Sequence, residues 1–164
     1  MVVALAVSGR AEDTNIAEQM KSHLVKLEGG TLKHLASPSF ARTKYVAIYY
    51  SAQWCPPCRA FSPELVKFYN EIKPAHPEFE LIFVSRDNSE GDMLSYMKSD
   101  SMPWPALKFG FGRTKQASRY AGTGIPCLVL TDATGKVLSH SYVNGNYVGP
   151  RKVLEDIRKT LTGS

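Results

Sequence analysis

The stretch Trp54-Cys55-Pro56-Pro57-Cys58 constrains this chain more than any other. It follows a strand-like run, Tyr45-Val46-Ala47-Ile48-Tyr49-Tyr50, and opens a helical pattern that runs from Arg59 to Ile72. A C-x-x-C at a strand-to-helix junction reads as a dithiol redox site. The first cysteine of such a pair sits at a helix N-terminus, where unpaired backbone N–H groups and the helix dipole favour negative charge. Its pKa is expected to fall from about 8.5 to about 3.5–7.5, and the thiolate is the nucleophile. The two intervening residues form a turn, which lets Cys58 reach back to Cys55. Pro56 and Pro57 suit this place. A proline in the first helical turn loses no hydrogen bond and arrives with φ already set.

The chain has 164 residues, enough for one domain with a short extension and a sizeable core without staples. Three cysteines are too few and too uneven for a disulfide scaffold. A structural zinc site needs four ligands. There is no second C-x-x-C, and His23, His34, His76 and His140 are scattered, so no metal is expected. The formal charge of +5 is spread among acids and reads as a solvated surface, with no nucleic-acid partner implied. Two apparent motifs carry nothing. Gly122-x-Gly124 lacks the third glycine of a dinucleotide loop, and Lys108-Phe109-Gly110-Phe111-Gly112 only echoes an RNA-binding signature. The apolar run Met1–Val7 is too short to span a bilayer and has no basic flank. It reads equally as the remnant of an export signal or as an N-terminal strand or helix. The compartment therefore stays open: the cytoplasm by default, export if Met1–Ala11 is a signal remnant.

Along the chain, Ile16, Met20 and Leu24 recur at a spacing of four, which predicts a helix over 12–24. Apolar runs on either side of Gly29-Gly30 predict a hairpin. Lys44 to Ser51 is apolar enough for a central strand covered on both faces. In the helix after the motif, Phe61, Leu65, Phe68 and Ile72 share a face, with a kink expected at Pro63. Further strands are predicted over 79–84, 127–131 and 136–142, with an extended stretch over 104–109. A short helix is predicted around Met93–Met97, and a short helix or turn over 113–121. Pro150 opens a last helix with Val153, Leu154, Ile157 and Leu161 inward. The first two central strands should be parallel and the last two an antiparallel hairpin.

Trp54-Cys55-Pro56-Pro57-Cys58-Arg59, Pro63 in the following helix, and Gly124-Ile125-Pro126 before a strand resemble the thioredoxin superfamily. Tyr50 to Arg59, Phe83-Val84-Ser85-Arg86-Asp87 and Met102-Pro103-Trp104 narrow the resemblance to tryparedoxins and nucleoredoxins. It implies an α/β fold, a three-layer α/β/α sandwich around a central mixed sheet. Residues 44–164 would form the thioredoxin-like domain. Residues 1–43 would form an N-terminal extension, a short helix and β-hairpin packed on that domain. It also implies roles: Cys55 attacks the substrate disulfide and Cys58 resolves the mixed disulfide. Trp54, Pro56, Pro57, Ile125 and Pro126 form the substrate-binding surface, with Pro126 cis and facing the dithiol and Trp54 shielding the sulfur. The resemblance implies no cofactor beyond the redox-active Cys55–Cys58 disulfide.

The expected activity is thiol–disulfide oxidoreduction, with a protein or small-molecule disulfide as substrate. No nucleotide loop is present, so electrons must come from another protein or a small thiol. Membrane insertion is not expected, and a monomer is. The alternative is a binding module that keeps the fold and acts by partner contact. A peroxidase is disfavoured, because such sites use a lone cysteine. Several residues depart from the pattern or stay open. Tyr49 stands where many thioredoxins bury an aspartate that accepts the second cysteine's proton. Cys127 follows the proline where threonine is usual, and reads as a small core residue ahead of a redox role. Trp104 reads equally as core or substrate-facing. Arg59 and Glu64 read as helix surface; Asp87 reads as a residue that tunes the thiolate or the proton path. The residues that recognise trypanothione have no match here, so that substrate is not assigned.

Overall fold

The computed structural model describes residues 15–36 and 38–163. The first expectation concerning Met1–Ala11 and the start of the first helix therefore lies outside the described residues. The described elements are α1 (Ile16–Met20), β1 (Leu24–Glu28), β2 (Thr31–His34), β3 (Tyr45–Ser51), α2 (Pro56–Ile72), β4 (Phe79–Ser85), α3 (Glu90–Ser99), β5 (Ala106–Leu107), α4 (Lys115–Ser118), β6 (Cys127–Asp132), β7 (Val137–His140), β8 (Tyr142–Val143), β9 (Asn146–Tyr147) and α5 (Pro150–Thr162). Seven strands form one mixed sheet in the order β2-β1-β5-β4-β3-β6-β7. The β3–β4 and β4–β5 pairs are parallel; β6 runs antiparallel to both β3 and β7. The β1–β2 hairpin joins this same sheet, since β1 pairs antiparallel with β5.

Period-two alternation divides the core between the two faces of the sheet. On one face, Ala47, Tyr49, Leu81, Phe83, Leu128 and Leu130 pack against α2, α3 and α5. On the other, Val46, Ile48, Tyr50, Ile82, Val84, Cys127 and Val129 pack with α1 and α4. The helices cover both faces, which gives the α/β/α sandwich. β3 lies inside the sheet, between β4 and β6, and is buried from Val46 to Ser51.

Four expectations change in detail. Leu24 belongs to β1, because a 3₁₀ turn at Lys21–His23 ends the first helix before it. The extended stretch over 104–109 shortens to β5. Trp104 is fully buried between Tyr49 and Tyr69, so it is core. The strand expected over 136–142 stops at His140. There Ser141 turns inward, its hydroxyl accepting from Leu128 N–H (2.8 Å) and donating to Leu128 C=O (3.0 Å). The chain then makes a second hairpin, β8–β9, about Asn144-Gly145. Both of these residues have positive φ, the backbone of a two-residue turn that Asn-Gly favours.

Tyr49, in place of an aspartate, has its hydroxyl 2.8 Å from Ser62 Oγ in α2. Ser62 Oγ lies 2.5 Å from Tyr96 Oη, which in turn lies 2.8 Å from Ser51 Oγ. This buried hydroxyl chain ties α2, α3 and β3 together directly beneath the C-x-x-C. Burial pushes the Tyr49 and Tyr96 hydroxyls upward in pKa, so they stay neutral and act as hydrogen-bond links. Ser62→Ala should cost about 1–3 kcal/mol and Tyr49→Phe about 0.5–1.5 kcal/mol. In urea unfolding the double variant should lose less than the sum of the two, because both halves of one bond are then gone. Additive losses would contradict the link.

Candidate active site

Helix α2 begins where β3 ends, and Cys55 is its N-cap. An N-cap side chain accepts the backbone N–H of the second or third helical residue. Here the first two helical residues are Pro56 and Pro57, which have no N–H. Cys55 N–H is held by Ala52 C=O at 3.2 Å, and Arg59 N–H makes the first intrahelical bond to Cys55 C=O at 3.1 Å. That leaves Cys58 N–H, which points at Cys55 Sγ from 3.3 Å. The two sulfurs are joined as a disulfide, with Cα atoms 5.2 Å apart.

The pair is asymmetric. Both are buried, but Cys58 is 0% exposed while Cys55 keeps 4%. Both pack with Ala52 and against Ile125. Ile125 C=O lies 3.8 Å from Cys55 Sγ, and the Ile125–Pro126 bond is cis. Trp54 is 58% exposed, its indole N–H donating to Arg86 C=O at 3.2 Å. Pro56 and Pro57 are exposed beside it. The structure thus gathers Trp54, Cys55, Pro56, Pro57, Cys58, Ile125 and Pro126 at one edge of the sheet.

The remaining candidates separate. Cys127 lies on the sheet face opposite α2, and burial pushes its thiol up to about 11. Arg59 is exposed, and Glu64 pairs with Arg151 at 2.9 Å. Asp87 is fully buried at the end of β4, next to the end of β3. Its carboxylate accepts Gln53 N–H at 2.7 Å and the Ser85 hydroxyl at 2.7 Å, pinning the loop that carries Trp54 and Cys55. Among the described residues no cluster of His, Cys, Asp and Glu could hold a metal ion, and no helix is long and apolar enough to cross a membrane.

A model of the family described as thioredoxin-like matches residues 43–137. The chain belongs to the thioredoxin-like family. Within that family it is similar to nucleoredoxins and tryparedoxins. Mouse nucleoredoxin is 42% identical over 97 residues, 58% of this chain but 22% of that protein, so the chain spans only a small part of it. The thioredoxin of Wuchereria bancrofti has a TM-score of 0.64 at 34% identity, covering 86% of this chain and 97% of that one. Tryparedoxin from Trypanosoma brucei has a TM-score of 0.63 at 25% identity, covering 91% and 96%.

Features of this thioredoxin-like site that the sequence did not reveal come from the second hairpin and from β4. The Tyr142 and Tyr147 rings pack at a tilt of 50° with centroids 5.0 Å apart, and Tyr147 donates to Pro126 C=O at 3.0 Å. The Tyr142 ring fills the space a Cβ on Gly122 would need, with its nearest carbon 2.1 Å from that point. This is the physical reason for the glycine in Gly122-x-Gly124. Asn144-Gly145 was the available signal for the hairpin. The sequence marked Arg86 only as part of the matched run Phe83–Asp87 and gave it no role; in the structure it lines a cleft beside Trp54.

Burial raises the Asp87 carboxyl above its usual range, and Asp92 adds to this; the bonds from Ser85 and Gln53 and the nearby Arg113 pull the other way. The folded protein therefore holds this proton more tightly than the unfolded chain. The stability Asp87 contributes is present below the ordinary carboxylate value and is lost as pH rises through the raised one. Asp87→Asn lacks that loss. Its stability relative to the parent should rise between pH 4 and pH 7 in urea titrations. A flat or falling difference would contradict the shift.

Proposed function

We propose that this chain is a thiol–disulfide oxidoreductase in which Cys55 attacks and Cys58 resolves. The observation that carries the reading is the division of labour in the pair. Cys55 caps α2 on the open side, with an N–H donor aimed at its sulfur; Cys58 lies beneath it with no route to a bulky substrate. A negative sulfur at Cys55 is stabilised by that donor and by the helix dipole.

In the reducing direction the Cys55 thiolate attacks one sulfur of the substrate. The substrate S–S bond breaks, a mixed disulfide forms, and the second substrate sulfur leaves as a thiolate. Cys58 loses its proton and attacks Cys55 Sγ, which closes the Cys55–Cys58 bond and frees the other substrate thiol. Two electrons pass from the protein to the substrate. The two product sulfurs take up the Cys58 proton and one proton from solvent. An external thiol or a reductase protein restores the dithiol by the same exchange.

Several features support this reading. Ile125 C=O and the cis-proline edge lie against Cys55, where an extended substrate segment could pair with backbone. Trp54, Pro56 and Pro57 supply an exposed, largely apolar rim. The buried tyrosines cannot act as the base for Cys58, because their hydroxyls are pushed up in pKa.

Reduced Cys58→Ser protein, mixed with oxidised insulin, should accumulate a mixed disulfide through Cys55 that dithiothreitol releases. Cys55→Ser should form no such adduct and should reduce insulin only at the uncatalysed rate. An adduct through Cys58, or full activity in the Cys55→Ser variant, would overturn the assignment. A module that works by contact alone would bind its partner equally well in both variants and reduce nothing.

A further inference from the structure

A cleft of about 260 Å³ opens beside the cysteine pair, between Trp54 and the loop from Ala121 to Ile125. Ile125 forms its inner end and also packs on Cys55 and Cys58. A group bound in this cleft would therefore sit next to the sulfur that the proposed reaction uses. Most of the lining is neutral. The exception is Arg86, which lies with Tyr50 on the sheet side of the cleft.

Among the described residues Arg86 is a cation without a counter-ion. Its guanidinium lies 5.1 Å from the centre of the Tyr50 ring. It donates to Gly112 C=O at 2.8 Å and to Ser118 Oγ at 3.0 Å. Both acceptors are neutral, and a guanidinium has five N–H donors. Among the described residues no carboxylate forms an ion pair with it. Its neighbour Asp87 turns the other way, toward Gln53 and Ser85. Arg113 is a second cation nearby, which sharpens the local excess of positive charge. Charges withdrawn from water are ordinarily paired, and guanidinium pairs best with a carboxylate, which it grips through two parallel bonds.

We propose that Arg86 is an anion subsite, and that the preferred substrates of this dithiol carry a carboxylate close to the disulfide. This rests on the oxidoreductase reading above. The carboxylate could belong to a small disulfide or to an acidic residue beside a cysteine in a peptide. Arg86 touches substrate and sets preference; it takes no part in the exchange of sulfur bonds. The chain's net charge of +5 acts in the same direction, but diffusely.

The test is single-turnover oxidation of the prereduced protein, followed by tryptophan fluorescence, with each disulfide in excess. The probes are 3,3′-dithiodipropionate, neutral bis(2-hydroxyethyl) disulfide and cationic cystamine. Intrinsic differences in leaving-group strength cancel when each variant is compared with the parent. Arg86→Gln should lower the ratio of the rate constants for the carboxylate and neutral probes by about tenfold, the size of one charge-assisted contact. The cystamine-to-neutral ratio should rise. Arg86→Lys should fall between parent and glutamine variant. In the parent alone, the carboxylate-to-neutral ratio should decline as salt is raised. This arm needs no variant to fold. Oxidised peptides with Glu or Gln beside the cystine then separate the two sources. A Glu preference that needs Arg86 assigns the subsite to proteins. Preference for the small dicarboxylate only assigns it to small disulfides. An unchanged ratio in Arg86→Gln, or equal slowing on all three probes, would overturn the subsite and leave Arg86 as a tether from the end of β4 to Gly112 and to Ser118 at the end of α4. Failure of the parent to react with any probe, the neutral one included, would instead sink the oxidoreductase reading.

Discussion

One contact organises the rest of the structure: the backbone N–H of Cys58 directed at the sulfur of Cys55. An N-cap position normally holds an oxygen from Ser, Thr, Asp or Asn. Here a sulfur takes the role, and the two prolines that follow remove every competing donor from the first turn. The consequence is chemical as well as structural. The group that completes the helix start is also the group that must carry negative charge in a disulfide exchange. The helix itself then has to be held firmly, because the cap geometry is only as good as the placement of α2 over the end of β3. The apolar face of Phe61, Leu65, Phe68 and Ile72 does most of this by burial against the sheet. The hydroxyl chain from Tyr49 through Ser62 to Tyr96 and Ser51 adds direction to it.

The placement of the site follows from topology. β3 and β4 run parallel, so their C-terminal ends share one edge of the sheet, where ligand sites of open α/β sheets gather. β3 delivers the cysteines to this edge. β4 delivers Arg86 and Asp87, of which one faces a cleft and the other pins the cysteine loop from behind. β6 runs the opposite way, so it enters at the same edge, bringing Ile125 and Pro126 against the sulfur. Three strands thus converge on a few residues, and none of the three could build the site alone. The β8–β9 hairpin closes the far side by packing Tyr142 on Gly122 and Tyr147 on Pro126.

The sequence was readable wherever a local signal was strong. The Cys-Pro-Pro-Cys at a strand-to-helix junction, the Gly29-Gly30 hairpin, and the apolar run of β3 each state their structure within a few residues. Pro150 followed by Val153 and Ile157 does the same for α5. Other features depended on contacts between distant segments. Trp104, between two prolines at the start of a stretch read as extended, fits core and substrate surface equally from sequence; only the tertiary fold shows that its ring fills the core between Tyr49 and Tyr69. Cys127 differs from a redox cysteine by the sheet face on which it lies, and strand register decides that. The strand after Lys136 ends early because Ser141 finds a partner in Leu128, a bond that no periodicity in the sequence reports. Arg86 enters the sequence reading only as one residue of the matched run Phe83–Asp87, and its lack of a counter-ion among the described residues is visible only once its surroundings are assembled.

The most direct measurement is the order in which the cysteines of the reduced protein react. A brief pulse of iodoacetamide near neutral pH, followed by peptide mass mapping, reads it without any substrate. If Cys55 is the capped, outward sulfur described here, it should be alkylated first and nearly alone, while Cys58 and Cys127 stay free until the protein is unfolded. Labelling of Cys58 before Cys55, or of both at matching rates, would contradict the account at its root.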